Sequence, residues 1–279
     1  MDTASQYRQL FADAVGRLGE DLDLARVSLY IEGEDFGDVD VSEGLGKLDR
    51  LAAKAGDMLG SSMDMASRLE SLSLYMSVKE GFTGDAKDYY NPDNVYLSRV
   101  LDRRRGMPIA LSLVYMEVGL RLGIQFDAIG LPGHLVIRAI TPARHYYIDP
   151  FHRGRVISRS DCVEMVGKMY GDRVELHERF FEPYTKKQFL VRLLSNLKGI
   201  YSRAGEYSKA LAAADRIALL DPNMGSNLKE RSWIFQQMGQ YKKAIGDLES
   251  YLKARPQVED AKQVKNQIQG LWKTIATLN

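Results

Sequence analysis

Apolar residues recur at helical spacing through the N-terminal third of the chain. Every third or fourth position is apolar in a first segment, at Tyr7, Leu10, Phe11, Ala14, Val15 and Leu18. A second segment repeats this spacing at Leu45, Leu48, Leu51, Ala52 and Ala55. The pattern predicts a helix in each segment and a third helix over residues 63–79. Residues 32–41, acidic and carrying Gly33 and Gly37, are predicted to form an exposed connection.

Two further helices are predicted in the middle of the chain. Asn91 and Pro92 form an N-cap and first-turn pair, which predicts a helix from there to about Arg104. Pro108 starts the next helix, whose apolar face ends at Gly123. Both segments therefore have a recognisable start and stop.

Three short strands are predicted after the second of these helices. They cover residues 126–130, 134–140 and 145–151. The last two are joined by a hairpin loop centred near Pro142 and Ala143, so residues whose numbers sum to about 285 face each other. Helices followed by strands in this way are typical of an α+β fold.

The C-terminal third repeats itself. Four residues recur 34 positions later: Gly205, Tyr207, Ala210 and Pro222 as Gly239, Tyr241, Ala244 and Pro256. This interval is the period of tetratricopeptide repeats, which pair two helices in each unit. The glycines fall in the turn between the helices, and the prolines follow the second helix. Because two repeats bury little surface alone, we expect residues 257–278 to form a capping helix and residues 186–194 to dock on the preceding domain.

These patterns divide the chain into two domains of different class. Residues 1–185 are predicted to hold the N-terminal helical region and an α+β core of helices on an antiparallel sheet. Residues 186–279 are predicted to form an all-α module of repeats with its capping helix. With 279 residues and 45% hydrophobic content, the chain is long enough to give each domain a core.

Charge and cysteine content narrow the classes of function. Lys and Arg number 38 and Asp and Glu 37, so no overall basic field attracts nucleic acid or anionic lipid. The single cysteine, Cys162, cannot form an intramolecular disulfide, and the first residues lack the apolar core of a signal peptide. No apolar run approaches the roughly 20 residues that span a bilayer. We therefore expect a cytoplasmic protein that binds neither nucleic acid nor membrane.

His134 and Asp149 are the strongest candidates for chemistry. In the predicted hairpin Asp149 faces Val136 and lies diagonal to His134, so both side chains point to one face of the sheet. A carboxylate beside an imidazole orients it as a general base. The same contact fits a buried hydrogen-bonded couple that joins two strands, or a ligand-binding pair. The sequence leaves these three interpretations open.

The helix that starts at Pro108 offers a candidate anion site at its N-terminus. Met107, the cap residue, has no side-chain acceptor, so the backbone N–H groups of Ile109, Ala110 and Leu111 are candidate donors to an anion or a developing oxyanion. Ser112, the nearest hydroxyl, lies one turn into the helix. It is predicted either to bond back to the carbonyl of Pro108 or to act as a nucleophile.

The densest basic cluster is Arg103, Arg104 and Arg105, close to Arg99. Such a cluster is usually a solvated face. Because it lies close to a helix N-terminus, a site for a carboxylate or phosphate is the alternative.

The cysteine and the remaining histidines of this region are assigned no chemistry. Cys162 is predicted to be a structural thiol near the start of a helix capped by Ser160 or Asp161. His145 and His152 lie near the hairpin ends, but no carboxylate has a spacing that joins them as ligands. No metal site and no cofactor are therefore predicted.

Four motifs lie between Asp88 and Phe151. In chain order they are Asp88-Tyr89-Tyr90-Asn91-Pro92, then Tyr96-Leu97-Ser98-Arg99-Val100-Leu101 followed by Arg103 to Ile109, then Gly130-Leu131-Pro132-Gly133-His134, and Ile148-Asp149-Pro150-Phe151. Together they resemble the bacterial SirB family, which joins a transglutaminase-like domain to tetratricopeptide repeats. The order of helix, His-bearing strand and Asp-bearing strand is similar to the transglutaminase-like core of the papain-type superfamily. The resemblance covers most of the chain from about Leu45.

This resemblance implies a papain/transglutaminase-like core and matches His134 and Asp149 to the superfamily's histidine and aspartate. The position of the superfamily's cysteine falls at Pro108 or Ile109, and neither residue is a nucleophile. We therefore predict a cysteine-less transglutaminase-like scaffold that binds a peptide or protein with help from its repeats. The alternative is an amide hydrolase or acyl transferase that uses His134 and Asp149 with Ser112 or an activated water.

Overall fold

The computed structural model describes residues 3–16, 22–60, 63–141, 144–173 and 177–278. The chain divides into two compact units, Met1–Leu193 and Leu194–Asn279. The predicted boundary between residues 185 and 186 stays a prediction. Leu18 of the first helical pattern lies outside the described residues, as do Pro142 and Ala143 of the predicted hairpin loop.

The first unit opens with four helices. They are α1 (Thr3–Gly16), α2 (Leu24–Phe36), α3 (Val41–Gly56) and α4 (Met65–Leu74), which runs on into a π-helical turn (Tyr75–Lys79). The helices predicted in the three periodic segments are therefore confirmed within the described residues.

The predicted exposed connection over residues 32–41 is wrong for residues 32–36, and only residues 37–40 link α2 to α3. Helix α2 continues to Phe36, and Glu32 is fully buried. Gly33 permits this packing because the ring of Tyr7 lies against its backbone, where a Cβ atom would come within 2.5 Å of the ring. The glycine in this helix therefore serves close packing between α1 and α2 and does not mark a loop.

The segment before the sheet is more broken than predicted. It contains β1 (Thr83–Gly84), a 3-10 turn (Pro92–Asn94), α5 (Leu97–Arg103), β2 (Arg105–Gly106), which pairs in parallel with β1, and α6 (Pro108–Arg121). One continuous helix to Arg104 is therefore wrong. The carbonyl of Asn94 accepts the backbone N–H of Met107 at 2.7 Å, and the N–H of Ser98 donates to Glu32, so the helical bond between residues 94 and 98 is not made.

The central sheet has four antiparallel strands in sequence order. They are β3 (Phe126–Leu131), β4 (His134–Ala139), β5 (Tyr146–Asp149) and β6 (Arg155–Ile157), followed by α7 (Arg159–Tyr170). Helices packed on this antiparallel sheet give the α+β class that the sequence predicts. The three predicted strands are confirmed, whereas β6 and the short β1–β2 pair were not predicted.

Helices cover the two faces of the sheet. Helix α6 packs against the ring of Phe126 through Gly119. A Cβ atom at this glycine would lie 2.4 Å from the ring. Helix α7 lays Cys162 and Val166 on the other face, beside Val136 and Tyr147. The cap predicted for α7 is wrong. Ser158 is the N-cap, because its hydroxyl and the carboxylate of Asp161 bond each other's backbone N–H groups in a capping box.

The second unit is built of paired helices. They are α8 (Lys186–Ala204), whose first residues belong to the first unit, α9 (Tyr207–Leu220), α10 (Gly225–Gln237), α11 (Tyr241–Ala254) and α12 (Ala261–Leu278). Gly205 and Gly239 lie in the two predicted turns with φ of 74° and 69°. Helix α12 lies within the predicted capping segment. Among the described residues, no helix is long and apolar enough to cross a membrane.

Candidate functional site

Strands β4 and β5 bring His134 and Asp149 into contact. Paired residue numbers sum to 285, as for Ile137 with Ile148, which confirms the predicted register. Continuing this register sets Asp149 opposite Val136 and diagonal to His134. The distance between His134 Nε2 and Asp149 Oδ2 is 3.0 Å, and the side chains are 6% and 1% exposed. The pair is therefore a buried hydrogen-bonded couple between two strands.

The turn after β5 adds His152 to this pair. Asp149 Oδ1 accepts hydrogen bonds from the backbone N–H groups of Phe151 and His152, at 3.1 and 3.2 Å. The chain folds back here, with Arg153 and Gly154 in the left-handed region at φ of 59° and 64°. His152 Nδ1 then lies 2.7 Å from Asp149 Oδ2. One carboxylate oxygen therefore contacts two imidazoles.

The contacts among these groups shift the pKa values of Asp149 and His152. Burial acts to raise the pKa of Asp149, but the hydrogen bonds and charges of His134 and His152 together outweigh it and hold this pKa well below its usual range. The hydrogen bond to Asp149 raises the pKa of His152 against the opposing effect of burial. Asp149 is therefore an anion at neutral pH, although it is almost fully buried.

An aromatic ring supports the three groups. Phe151 packs edge-on against His134 and His152, with ring centroids 6.0 and 5.2 Å apart. The backbone of Phe151 is tied to β1, because its carbonyl accepts the N–H of Gly84 at 2.9 Å. A Cβ atom at Gly84 would lie 2.4 Å from the Phe151 ring. Glycine at this position therefore lets the ring reach the two histidines.

A cavity of about 350 Å³ opens beside the three groups. His134, Asp149 and His152 form one part of its wall, and α7 supplies much of the rest. The other lining residues are of two kinds. Four are charged, with both signs present (Arg155, Asp161, Glu164 and Lys168), and three are apolar (Ile157, Met165 and Met169). The cavity is therefore polar at the histidines and adaptable along α7.

The first turn of α6 is buried and lacks a nucleophile. Ile109 and Ala110 are 1% and 0% exposed. Met107 makes no side-chain capping bond within the described part of the chain, as predicted. The N–H of Leu111 donates to the carbonyl of Met107 at 3.1 Å, so its predicted role as a free donor is wrong. The role of the Ile109 and Ala110 N–H groups as anion donors stays a prediction.

The structure tests one of the two predictions for Ser112. The residue is fully buried, and its Oγ has no hydrogen-bond partner among the described residues. The predicted bond to the carbonyl of Pro108 is therefore wrong, because the side chain packs in the core in an orientation that does not reach that carbonyl. Among the described residues, no hydrogen bond joins His134 to the Ser112 hydroxyl, and the role of Ser112 as a nucleophile stays a prediction.

Two more buried hydroxyls, which the sequence did not reveal, lie close to Gly154. A Cβ atom on this glycine would be 2.6 Å from Tyr115 Oη and 3.2 Å from Ser73 Oγ. Within the described ranges, neither hydroxyl has a hydrogen-bond partner. Burial, and then the charge of Asp149, raise the pKa of Tyr115, so its phenol stays protonated.

Cys162 lies on the same face of the sheet as the His134–Asp149 pair, in an apolar cluster with Val136 and Tyr147. The thiol is fully buried. Burial, followed by the charge of Asp149, raises its pKa to about 12. Since the thiolate is the nucleophilic form, this environment keeps Cys162 unreactive.

Two of the three arginines in the basic cluster form hydrogen bonds within the fold. Arg103 donates to Asn94 and Asp85 at 3.1 and 3.3 Å. Arg104 donates to Glu80 at 3.0 Å and lies over the ring of Phe82. Arg105 is exposed. Binding of an anion by Arg103, Arg104 and Arg105 stays a prediction, because the first two side chains are partly exposed but already paired with carboxylates.

His152 is a site residue that no sequence pattern predicted. Its Asp149-x-x-His152 spacing was the available signal, because three residues are enough for a turn to bring the imidazole back onto the carboxylate. The prediction that no carboxylate has a spacing suited to His145 and His152 is wrong for His152, which contacts Asp149. The ligand atoms of His134, Asp149 and His152 all lie within 4.8 Å of one another.

Comparisons with known proteins agree with this architecture. Residues 43–195 match the model of the transglutaminase-like superfamily, and residues 197–269 match a tetratricopeptide repeat. A UPF0162 protein of Xylella fastidiosa is 30% identical over 256 residues, which cover 89% of this chain and 90% of that protein. A UPF0162 protein of Pseudomonas aeruginosa is 30% identical over 215 residues, covering 77% of this chain and 78% of the relative.

A human protein shares a shorter region. F-box only protein 21 is 31% identical over 170 residues, which cover 56% of this chain and 25% of the human protein. The relatives that match along most of their length are the UPF0162 proteins. By these matches, the chain belongs to the transglutaminase-like superfamily and, within it, to the UPF0162 proteins.

Proposed function

We propose that this protein is a non-catalytic, transglutaminase-like scaffold that binds a peptide or protein partner with help from its repeats. The first turn of α6 carries the proposal. Pro108 and Ile109 stand where the resembled superfamily has its cysteine, and both are buried. A proline and an isoleucine offer no nucleophilic atom, so covalent acyl chemistry has no starting point there.

The one thiol of the chain does not replace the missing nucleophile. Cys162 lies on α7 and not on α6, and burial raises its pKa to about 12. An activated cysteine needs the opposite shift. Our proposal of a cytoplasmic location rests on the low cysteine content, since disulfide-rich chains are typical of oxidising compartments.

The alternative of a hydrolase or acyl transferase that uses Ser112 is weaker. A general base must be within hydrogen-bond reach of the hydroxyl that it activates. In the described structure, Ser112 Oγ has no hydrogen-bond partner, and the residue is fully buried. A substrate would therefore have to open the core to reach it.

The cavity supports a recognition role. Its volume of about 350 Å³ suits a side chain or chain terminus of a peptide. Met165 and Met169 offer surfaces that adapt to an apolar group, and Met169 is 43% exposed. The second unit contributes paired helices of the tetratricopeptide class, which present grooves to extended segments.

Peptide display on the immobilised full-length protein tests this proposal. Peptides that share a motif are expected, and one such peptide is then titrated by fluorescence anisotropy. Met169→Glu, which places a charge at the cavity, is expected to weaken binding at least about tenfold. Met58→Glu is the matched control, because Met58 is a similarly exposed methionine at 36% and does not line the cavity.

Two outcomes would contradict the proposal. Selection of no peptide above background would remove the binding role. Mass spectrometry of the incubated peptide that reveals cleavage or acyl transfer, lost in His134→Ala, would replace the scaffold by the enzyme.

A further inference from the structure

We propose that His134 Nε2, Asp149 Oδ2 and His152 Nδ1 form a binding site for one divalent transition-metal ion of the Zn²⁺ type. Two neutral imidazoles and one carboxylate are a donor set that zinc and related ions accept in proteins. The donors come from β4, from the end of β5 and from the turn after it. This inference is independent of the proposed peptide binding, because metal binding is measured with no peptide present.

The spacing of the three donor atoms fits an ion. Two ligand atoms that are each about 2.1 Å from a tetrahedral ion lie about 3.4 Å apart. His134 Nε2 and His152 Nδ1 lie 3.0 and 2.7 Å from Asp149 Oδ2. The three donor atoms are mutually within 4.8 Å. Lengthening the two N···O distances by about 0.4 and 0.7 Å, and bringing the two nitrogens to about 3.4 Å from each other, therefore converts the hydrogen-bonded cluster into a coordination site.

The surroundings hold the donors in place. Asp149 Oδ1 is fixed by the N–H groups of Phe151 and His152, which leaves Oδ2 as the donor that faces both imidazoles. Phe151 packs edge-on against the two histidine rings. Bonds to the second oxygen of a ligating carboxylate are typical of the outer shell of metal sites.

Three protein donors leave a position open on a four-coordinate ion. The cavity borders all three donor residues, so this position faces a space of about 350 Å³. Metal sites with three protein ligands and an open position accept water or an oxygen of a bound molecule. The ligand class expected at the open position is therefore a water or a carboxylate or carbonyl oxygen.

Metal titration of the full-length protein, with any affinity tag removed and after chelator treatment, tests the site. Co²⁺ is added first, because a coordinated Co²⁺ ion absorbs in the visible range, and Zn²⁺ is then added as competitor. We expect one Co²⁺ per chain and loss of its absorption when Zn²⁺ displaces it. Isothermal titration with Zn²⁺ then gives the dissociation constant.

Substitution of His152 is the decisive comparison. Its side chain is 52% exposed, so His152→Ala is expected to fold, which circular dichroism checks. Removing this ligand should weaken binding by more than about 100-fold, since loss of an outer-shell group alone costs 10- to 100-fold. His145→Ala is the matched control, because His145 is an exposed histidine outside the cluster, and it should bind as the wild type does.

Three results would overturn the inference. They are a stoichiometry near zero in the wild type, equal affinity in the wild type and His152→Ala, or loss of binding in His145→Ala. The first result would mean that the two histidines and the aspartate form a hydrogen-bonded cluster that binds no metal. None of these results bears on whether the cavity binds a peptide.

Discussion

The surroundings of the Ser112 hydroxyl distinguish the proposed scaffold from the alternative enzyme that uses Ser112 as a nucleophile. A nucleophilic serine needs a base beside it, whereas a hydroxyl that is buried without a partner costs about 1–3 kcal/mol of stability. Ser112 Oγ has no such partner in the described structure. Replacement by alanine should therefore raise the free energy of unfolding by about 1 kcal/mol, measured by urea denaturation.

Ser98 provides the matched comparison for this prediction. Its hydroxyl donates to the carboxylate of Glu32, so Ser98→Ala should lower the free energy of unfolding by about 2 kcal/mol. If Ser112→Ala were destabilising by a similar amount, the Ser112 hydroxyl would have a partner, and the Ser112 enzyme would have to be considered again.

Cys162 should be inert in the folded protein. Burial, with a smaller contribution from Asp149, raises the pKa of the thiol to about 12, so almost none is thiolate near pH 8. Reaction with a disulfide reagent is expected to be at least about 1000-fold slower in the folded chain than in concentrated urea. Rapid labelling of the folded protein at pH 8 would show that the thiol is accessible and activated.

At the residue scale, the sequence predicted one contact of the site and missed another. His134 and Asp149 were paired correctly because strand register follows from the alternation of side chains across a hairpin. His152 was missed because it reaches Asp149 through a turn, where no period governs the direction of a side chain. The positions of Ser73 and Tyr115 could not be predicted for a related reason. These residues lie on α4 and α6 and come close to Gly154 only when the two helices pack in the folded unit.

At the element scale, Glu32 explains why residues 32–36 were misread. An acidic residue beside a glycine is typical of a loop, but this carboxylate is buried and satisfied by α5. It accepts the backbone N–H of Ser98 at 3.0 Å and lies 3.6 Å from the guanidinium of Arg99. A carboxylate at a helix N-terminus is a favourable cap, which no local pattern on α2 reveals.

Glu32 should also make stability depend on pH. Burial raises its pKa above the usual value despite the bonds from Ser98 and the charge of Arg99. The protonated carboxyl therefore favours the folded state. This contribution is present below the unfolded pKa of about 4.3 and is lost as pH rises through the raised folded value.

Comparison with Glu32→Gln isolates this effect. The free energy of unfolding of the wild type, minus that of the variant, should fall as pH rises from about 4 to 7. Urea denaturation at each pH gives the difference, and Glu259→Gln, at an exposed position, controls for the change in net charge. A difference that increases with pH would mean that the pKa of Glu32 is lowered by its partners.

The repeat turns give a second prediction at the element scale. Gly239 has φ of 69°, which disfavours any residue with a Cβ atom, whereas Gly246 lies inside α11 with open space around it. Gly239→Ala should lower the free energy of unfolding by about 1 kcal/mol, and Gly246→Ala should raise it by about 1 kcal/mol. Thermal or urea denaturation measures both. Equal effects of the two substitutions would contradict the turn geometry.

At the scale of the whole molecule, long-range regularity was the most predictable property. The 34-residue interval indicated the paired helices of the second unit, because each repeat contacts mainly its neighbours and so carries its own pattern. The α+β class of the first unit followed from helices preceding strands. The β1–β2 pair was not predicted, since two-residue strands have no periodicity and depend on Gly84 and Gly106 being brought together by the surrounding helices.

The charge balance of the whole chain gives the last prediction. A total of 38 Lys and Arg against 37 Asp and Glu leaves a formal net charge of +1, and Arg103 and Arg104 already pair with Asp85 and Glu80. Non-specific binding of nucleic acid needs several free cations that displace counterions from phosphates. Fluorescence anisotropy with a short labelled DNA duplex should therefore show no saturable binding below about 100 µM protein at physiological salt.

Repeating the titration at low salt is the control, because weak contact with exposed Arg105 should appear there and vanish as salt is added. Binding tighter than about 1 µM at physiological salt, with a steep dependence on salt, would instead reveal a basic surface that the net charge conceals.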